Sequence, residues 1–397
     1  MRSILVAIIF LTSAFGAAPV TIRFGSISLS GIITGLICFA SILIFLQKPQ
    51  LFKSDRRAII PLVLFCLFTS VWFVLKFSPE EQIENYIVVW AGITFILLCT
   101  SSMRVIEKNL ISWGVLIDVC TIIYIFVMMF EVFTQEASPA TAQVGIIFIS
   151  FHLVKILNND RRSLFFMAGI ICMQILLGAR IVVLAEMVII LFGRILLKGF
   201  SFPNIRKLTR SGLIIVIMLV GIITLSIKSG IYEKTIGGGD RALRYGRFTV
   251  NTSGRIHMWN IVFDSALTSP WIGQGTSGPN EMLRVPRWRH PHNDYLRLFH
   301  QLGVVGLFLW ISFISHSLVK AWRGSKYHSN MRSRFWCQAT FLSIIGISII
   351  MLTDNSMVYS YVVYPMSAMI GITFAVNHNL VVPKRNNKLG FFRRLLA

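Results

Sequence analysis

Residues 290–319 read HPHNDYLRLFHQLGVVGLFLWISFISHSLV. From residue 295 onward the run is apolar with few charges, and roughly 20 residues at 1.5 Å rise cross a bilayer's hydrocarbon core, so 295–319 is expected to be a membrane-spanning helix. Pro291 should break any helix before it, and Asn293 or Asp294 can cap the one that follows. His292 is thereby placed at a helix entrance, where a basic loop meets the membrane.

Working outward, the same reading applies to 4–20, 28–46, 58–75, 86–100, 110–130, 144–156, 164–177, 181–197, 213–227, 335–352 and 361–376. The expected fold is an all-α polytopic membrane protein of about twelve transmembrane helices with one long outer loop. Composition agrees: 55% of the 397 residues are hydrophobic, 14% are charged, and the mean hydropathy is +0.71. An ordinary soluble domain carries about 25% charged residues, which excludes a water-soluble enzyme, a disordered chain and a nucleic-acid-binding domain. Cys38, Cys66, Cys99, Cys120 and Cys172 lie inside apolar runs and Cys337 at the start of another, a placement that offers neither a disulfide framework nor a zinc site.

The net charge of +22, from 38 Lys and Arg against 16 Asp and Glu, has a topological explanation. Every second connection is basic, holding Lys48, Lys53, Arg56 and Arg57, then Arg104 and Lys108, Arg161 and Arg162, Arg206, Lys207 and Arg210, and Arg323, Lys326, Arg332 and Arg334. The tail adds Lys384, Arg385, Lys388, Arg393 and Arg394. Intervening connections hold Glu80, Glu81 and Glu84, or Glu131 and Glu136, or are nearly uncharged around 354–360. The positive-inside rule places the tail in the cytoplasm and the alternate loops outside. The expected organisation is N-terminal helices over 1–229, an outer loop over 230–294, further helices over 295–376 and a basic cytoplasmic tail over 377–397. Residues 1–20 also resemble a signal peptide, but a second span follows so soon that an anchor is the preferred reading.

The outer loop has enough chain to build a site and is itself basic, with Arg241, Arg244, Arg247, Arg255, Arg284, Arg287, Arg289 and Arg297 prominent. Guanidinium forks match phosphate oxygens bidentately, which points to an anionic ligand; lipid headgroups or plain solvation are the alternatives. Arg180, in Gly178-Ala179-Arg180, sits at the outer tip of a tight connection, where a charge beside the membrane is either functional or snorkelling to headgroups. An imidazole such as His292 can take a proton from an attacking hydroxyl at neutral pH; hydrogen bonding to phosphate or backbone is the other reading, and a metal-ligand role for His290 and His292 is disfavoured by Pro291 between them. Gly303 and Gly306, three residues apart on one helical face, would let a neighbouring helix approach. Gly273-Gln274-Gly275-Thr276-Ser277-Gly278 fits G-x-G-x-x-G, but without a strand before it and a helix after it the match is a glycine-rich turn.

These residues resemble the O-antigen ligase and polysaccharide polymerase superfamily of bacterial envelope proteins. The resemblance rests on His292-Asn293 followed by Gly303-x-x-Gly306, on Arg180 with Leu184 four residues on, and on Ser253-Gly254-Arg255, Trp259, Pro270 and Gly273-x-Gly275. It implies a metal-independent, inverting glycosyltransferase of GT-C type in the inner membrane, needing no cofactor. It would take a glycan from an undecaprenyl-pyrophosphate carrier on the periplasmic side and join it to a sugar hydroxyl on another glycan or on lipid A–core. Implied partners are these donors and acceptors, membrane lipids and a chain-length regulator, with no nucleic acid. Carried over by position, Arg180 and Arg255 would hold the pyrophosphate and His292 would serve the acceptor hydroxyl as base or orienter; Arg247, Arg287, Arg289, His290 and Asn293 are the expected substrate-binding residues. The Ser-Gly-Arg run tilts the expectation towards a polymerase, with a ligase as the alternative. From other classes, a multi-pass transporter, with Asp118, His152 and Glu186 as its deeply placed ionisable residues, and a structural envelope partner remain open.

Overall fold

The computed structural model describes residues 2–17, 23–24, 27–47, 56–75, 89–101, 110–134, 140–198, 242–245, 248–251, 255–275 and 291–378. The apolar runs form helices α1 (Arg2–Ala14), α2 (Leu29–Gln47), α3 (Arg56–Leu75), α4 (Val89–Ser101), α5 (Leu110–Thr134), α6 (Gly145–Leu157), α7 (Ser163–Leu176) and α8 (Arg180–Lys198). After a further helix, α9 (Arg255–Ala266), come α10 (Asp294–Tyr327), α11 (Met331–Ile350) and α12 (Ser360–Val376). Most bounds lie within a few residues of the expected spans; α1 stops early, where Gly16 turns the chain with φ 55°. Expected span 213–227 falls outside the described residues. Three of the described helices, over Gly114–Thr134, Asp294–Tyr327 and Met331–Ile350, are long and apolar enough to cross a membrane.

Two short antiparallel hairpins accompany the helices: β1 (Arg23–Phe24) pairs with β2 (Ile27–Ser28), and β3 (Ala242–Tyr245) with β4 (Phe248–Asn251). The second hairpin and α9 fall within the stretch expected to form the outer loop. Helix α9 has Met258 and Val262 buried four residues apart, so one face packs on α10 although the helix as a whole is barely apolar.

Between helices in lipid there is little hydrophobic driving force, and close van der Waals approach takes its place. Helix α12 packs on α4 where Gly92 meets the Tyr364 ring and Gly371 meets Thr100 and the Leu97 carbonyl. Helices α3, α4 and α10 meet in an aromatic cluster: the Trp310 centroid lies 5.4 Å from Trp90, 5.6 Å from Phe65 and 5.7 Å from Phe313. The perimeter is the reverse of a soluble protein's, with Leu36, Phe39, Val74, Phe126, Phe165 and Phe308 all exposed. Inside the bundle, Asp118 pairs with Lys155, while His152 bonds Thr121 at 2.9 Å and Ser163 at 3.2 Å. Glu186 is fully buried beside Gln174.

Helix α10 is broken at Gly303, with φ 62° and ψ −167°. Gly303 and Gly306 were expected to present one helical face to a neighbour; instead Gly303 interrupts the helix, and the turn over 270–275 fills the gap. The freed carbonyls of His300 and Gln301 accept from the N–H groups of Gln274 (2.8 Å) and Gly275 (3.1 Å). The N–H groups of Val304 and Val305 donate to the carbonyls of Pro270 (2.8 Å) and Trp271 (3.2 Å). Four backbone groups that a break would strand are thereby satisfied. The close approach needs glycine on both sides: a Cβ on Gly273 would overlap the Gln301–Leu302 peptide, and one on Gly303 the Trp271 carbonyl.

Hydrogen bonds between helix ends fall into two groups. At one end the Ala17 N–H donates to Thr141, Arg255 to Thr353 and the Met357 N–H to Asp294. At the other, Lys326 donates to the Leu197 carbonyl, His328 bonds the Val376 carbonyl and Asn377 donates to the Lys320 carbonyl. The basic connections over 158–162 and 320–334 belong to the second end, and the candidate site to the first.

Candidate active site

Pro291 fixes its own φ. His292 then takes φ 48°, a left-handed conformation that costs a non-glycine residue roughly 1–2 kcal/mol, and such an outlier is a pointer to function. Its neighbours hold it there. The Trp259 Nε1–H of α9 donates to the Pro291 carbonyl at 2.6 Å, and Asn293, extended at φ −161°, caps α10 by accepting from the Leu296 N–H at 3.0 Å.

The His292 Nδ1 lies 3.1 Å from Asp354 Oδ1, in the turn between α11 and α12. An ionised carboxylate only accepts hydrogen bonds, so Nδ1 carries the proton and Nε2 presents a lone pair. The His292 side chain is 38% exposed and that of Asp354 14%, so the base is open to a ligand while its partner is shielded. Burial raises the Asp354 carboxyl, but the His292 hydrogen bond, the Asn355 N–H at 2.8 Å and the positive charge of Arg255 outweigh it and hold the group below the ordinary carboxylate value.

Arg255, the first residue of α9, donates through Nη1 to the Thr353 carbonyl at 2.7 Å, next to Asp354. Arg180 begins α8 after a turn in which Gly178 takes φ 71°. Burial and, after it, the charge of Arg255 both act on its guanidinium. Two guanidinium forks at one end of the bundle match the oxygens of a polyanionic group. Leu184, its expected motif partner, is an exposed residue on the same helix.

The structure thus brings Arg180, Arg255 and His292 to one end of the molecule. Asn293 adjoins them, although its side-chain oxygen is engaged as a cap. Arg247, Arg287, Arg289 and His290 fall outside the described residues. Arg297, read above with the outer loop, is buried in α10 against Asp294. Asp354 was not singled out in the sequence: it lies 62 residues from His292, and its one signal is a lone carboxylate in a short turn. A cavity of about 310 Å³, lined among others by Lys155, Arg332, Phe335 and Trp336, lies at the far end of α11 and is no part of this site.

Fold and site define a helical membrane protein with a histidine–carboxylate dyad and two arginines gathered at one end of its bundle. Residues 163–311 match the family model described as O-antigen ligase, a stretch from α7 into α10 that holds Arg180, Arg255 and His292 but stops short of Asp354. A Rickettsia conorii (strain ATCC VR-613 / Malish 7) protein named "Putative polysaccharide ligase" is 24% identical over 111 residues, which are 25% of this chain and 27% of that protein. The chain is therefore similar, over the stretch that carries most of the site, to the O-antigen ligase and polymerase family that its motifs resemble.

Proposed function

We propose that the chain is a membrane glycosyltransferase that moves a glycan from an undecaprenyl-pyrophosphate carrier to a sugar hydroxyl at the outer face of the inner membrane. The observation that carries this reading is the Asp354–His292 pair set beside Arg255 and Arg180: a base with its orienting acid, next to two charges suited to pyrophosphate. The family likeness over 163–311 supports it, and the sorting of helix-end contacts supports the alternating topology that puts this site outside and the tail in the cytoplasm.

In the reaction, the acceptor hydroxyl gives its proton to His292 Nε2 as its oxygen bonds the donor's anomeric carbon. The bond from that carbon to the pyrophosphate oxygen breaks with its electron pair, in one displacement that inverts the centre. Asp354 stabilises the imidazolium, and Arg180 and Arg255 stabilise a negative charge that is larger in the transition state than in the ground state. The energy resides in the donor linkage, so the step needs no nucleotide.

The acceptor is proposed to be another carrier-linked glycan, making the protein a polymerase, because the Ser253-Gly254-Arg255, Trp259, Pro270, Gly273-x-Gly275 run resembles polymerases at least as well as ligases. The second reading is a ligase that transfers the glycan to lipid A–core, in keeping with the word ligase in the descriptions of the family model and of the Rickettsia relative. Deleting the gene and separating lipopolysaccharide and the undecaprenyl-linked pool distinguishes them. Core capped by a single repeat without a ladder marks a polymerase, polymer accumulating on undecaprenyl marks a ligase, and two unchanged pools contradict both.

A further inference from the structure

Between His292 and Asp354 stands a third group that the reaction above does not use. The Asp294 carboxylate is fully buried, and three contacts fix it. Its backbone N–H donates to the Met351 carbonyl at 2.9 Å, its Oδ2 accepts from the Met357 N–H at 2.8 Å, and its Oδ1 lies 2.7 Å from Arg297 Nη2. Met351 and Met357 stand three residues before and three after Asp354. Asp294 itself follows His292 by two. One residue therefore ties both shoulders of the acid's turn to the segment that presents the base, Met351 through its backbone N–H and Met357 through its carboxylate.

We infer that Asp294, with Arg297 as its counter-charge, is a positioning residue that sets the separation and angle of the His292–Asp354 pair. The inference rests on the proposed function, since it concerns the geometry of that dyad. Helix capping does not account for Asp294, because Asn293 already caps α10. A buried carboxylate is costly without a partner and roughly neutral with one, so stability alone gives little reason to keep the pair. Its position gives a reason: the His292 backbone is strained, the turn from 351 to 357 joins two helices, and neither would hold a 3.1 Å contact unaided. Among the described residues, the charged and titratable groups around the dyad include Arg255 on Thr353, Arg180 beyond it, Tyr359 and Tyr361 after the turn, and the Asp294–Arg297 pair.

The full chain, reconstituted in liposomes, is assayed with undecaprenyl-linked glycan and acceptor extracted from the deletion strain, and kcat and KM are recorded. Asp294→Asn is expected to lower kcat by about 10- to 100-fold, the scale of a small misplacement, with donor KM little changed. Adding Asp294→Asn to Asp354→Asn should cost little more, since both act on one contact. Should the single variant fail to accumulate, Asp294→Asn with Arg297→Gln removes both buried charges and is expected to show the same kcat loss. A wild-type kcat in whichever variant folds, a loss carried by donor KM instead of kcat, or losses that multiply with Asp354→Asn, overturns the inference. Wild-type transfer by both His292→Ala and Asp354→Asn instead overturns the proposed function on which it rests.

Discussion

At Arg180 and Arg255 the claim is about shape as much as charge. A guanidinium offers two parallel donors to a phosphate and an ammonium offers a point charge, so Arg180→Lys and Arg255→Lys should fail nearly as badly as the alanine variants. Membrane insertion should be normal in each; glycan laddering in a complemented deletion strain is the measurement, and a full ladder from the lysine variants contradicts the bidentate role. For Asp354 the pH sign follows from its lowered value. A carboxyl whose folded value lies below its unfolded one stabilises the fold above the unfolded value, near 3.9 for aspartate, and that contribution is lost as pH falls through the folded value. Thermal unfolding in detergent should show Asp354→Asn less stable at neutral pH, with a flatter dependence below about pH 4; identical curves contradict the pairing with His292. Arg180 and His292 stood out in the sequence because each sits at a helix boundary where a charge or histidine is out of place, and Arg255 through the resemblance of Ser253-Gly254-Arg255 to the family's motif. Asp354 and the role of Asp294 did not, since a contact spanning 62 residues leaves no mark on local pattern.

Among the elements, the break in α10 has the largest consequence. Hydropathy finds a helix over 295–319, and the structure agrees, but no periodicity reports that residue 303 carries φ 62°. The Gly-x-x-Gly spacing was legible as a close approach; what approaches is the turn over 270–275, the stretch set aside as a glycine-rich turn. Gly303→Ala would impose both a left-handed backbone and an overlap with the Trp271 carbonyl, which cannot move without opening the four hydrogen bonds across the break. A loss on the order of 3 kcal/mol is expected, read as a lower midpoint of thermal unfolding in detergent, while Gly306→Ala, facing the side chain of Leu302, should cost less. Equal stability for the two would show that the break is not glycine-dependent. Helix α9 escaped the sequence reading for a related reason: three buried apolar residues in twelve, Met258, Val262 and Ala266, make one packed face without a hydropathy peak.

For the whole molecule, the proposed topology puts alternate basic connections on one face. Hydrogen bonds between helix ends gather residues into two groups, Thr353 with Arg255 and Lys326 with Leu197, in keeping with it. Single cysteines placed at Leu352 and at Met331, both exposed, should react with a membrane-impermeant maleimide from opposite sides of sealed cells and inverted vesicles. Labelling of both from one side would break the topology on which an outer site depends.

The central claim, that this site transfers a carrier-linked glycan, is tested most directly with the purified chain in liposomes and undecaprenyl-pyrophosphate-linked glycan from the deletion strain. Release of undecaprenyl pyrophosphate is followed with acceptor present and no nucleotide added. The account predicts acceptor-dependent release by the wild type and a near-complete loss in His292→Ala; release at equal rates by both proteins would contradict it.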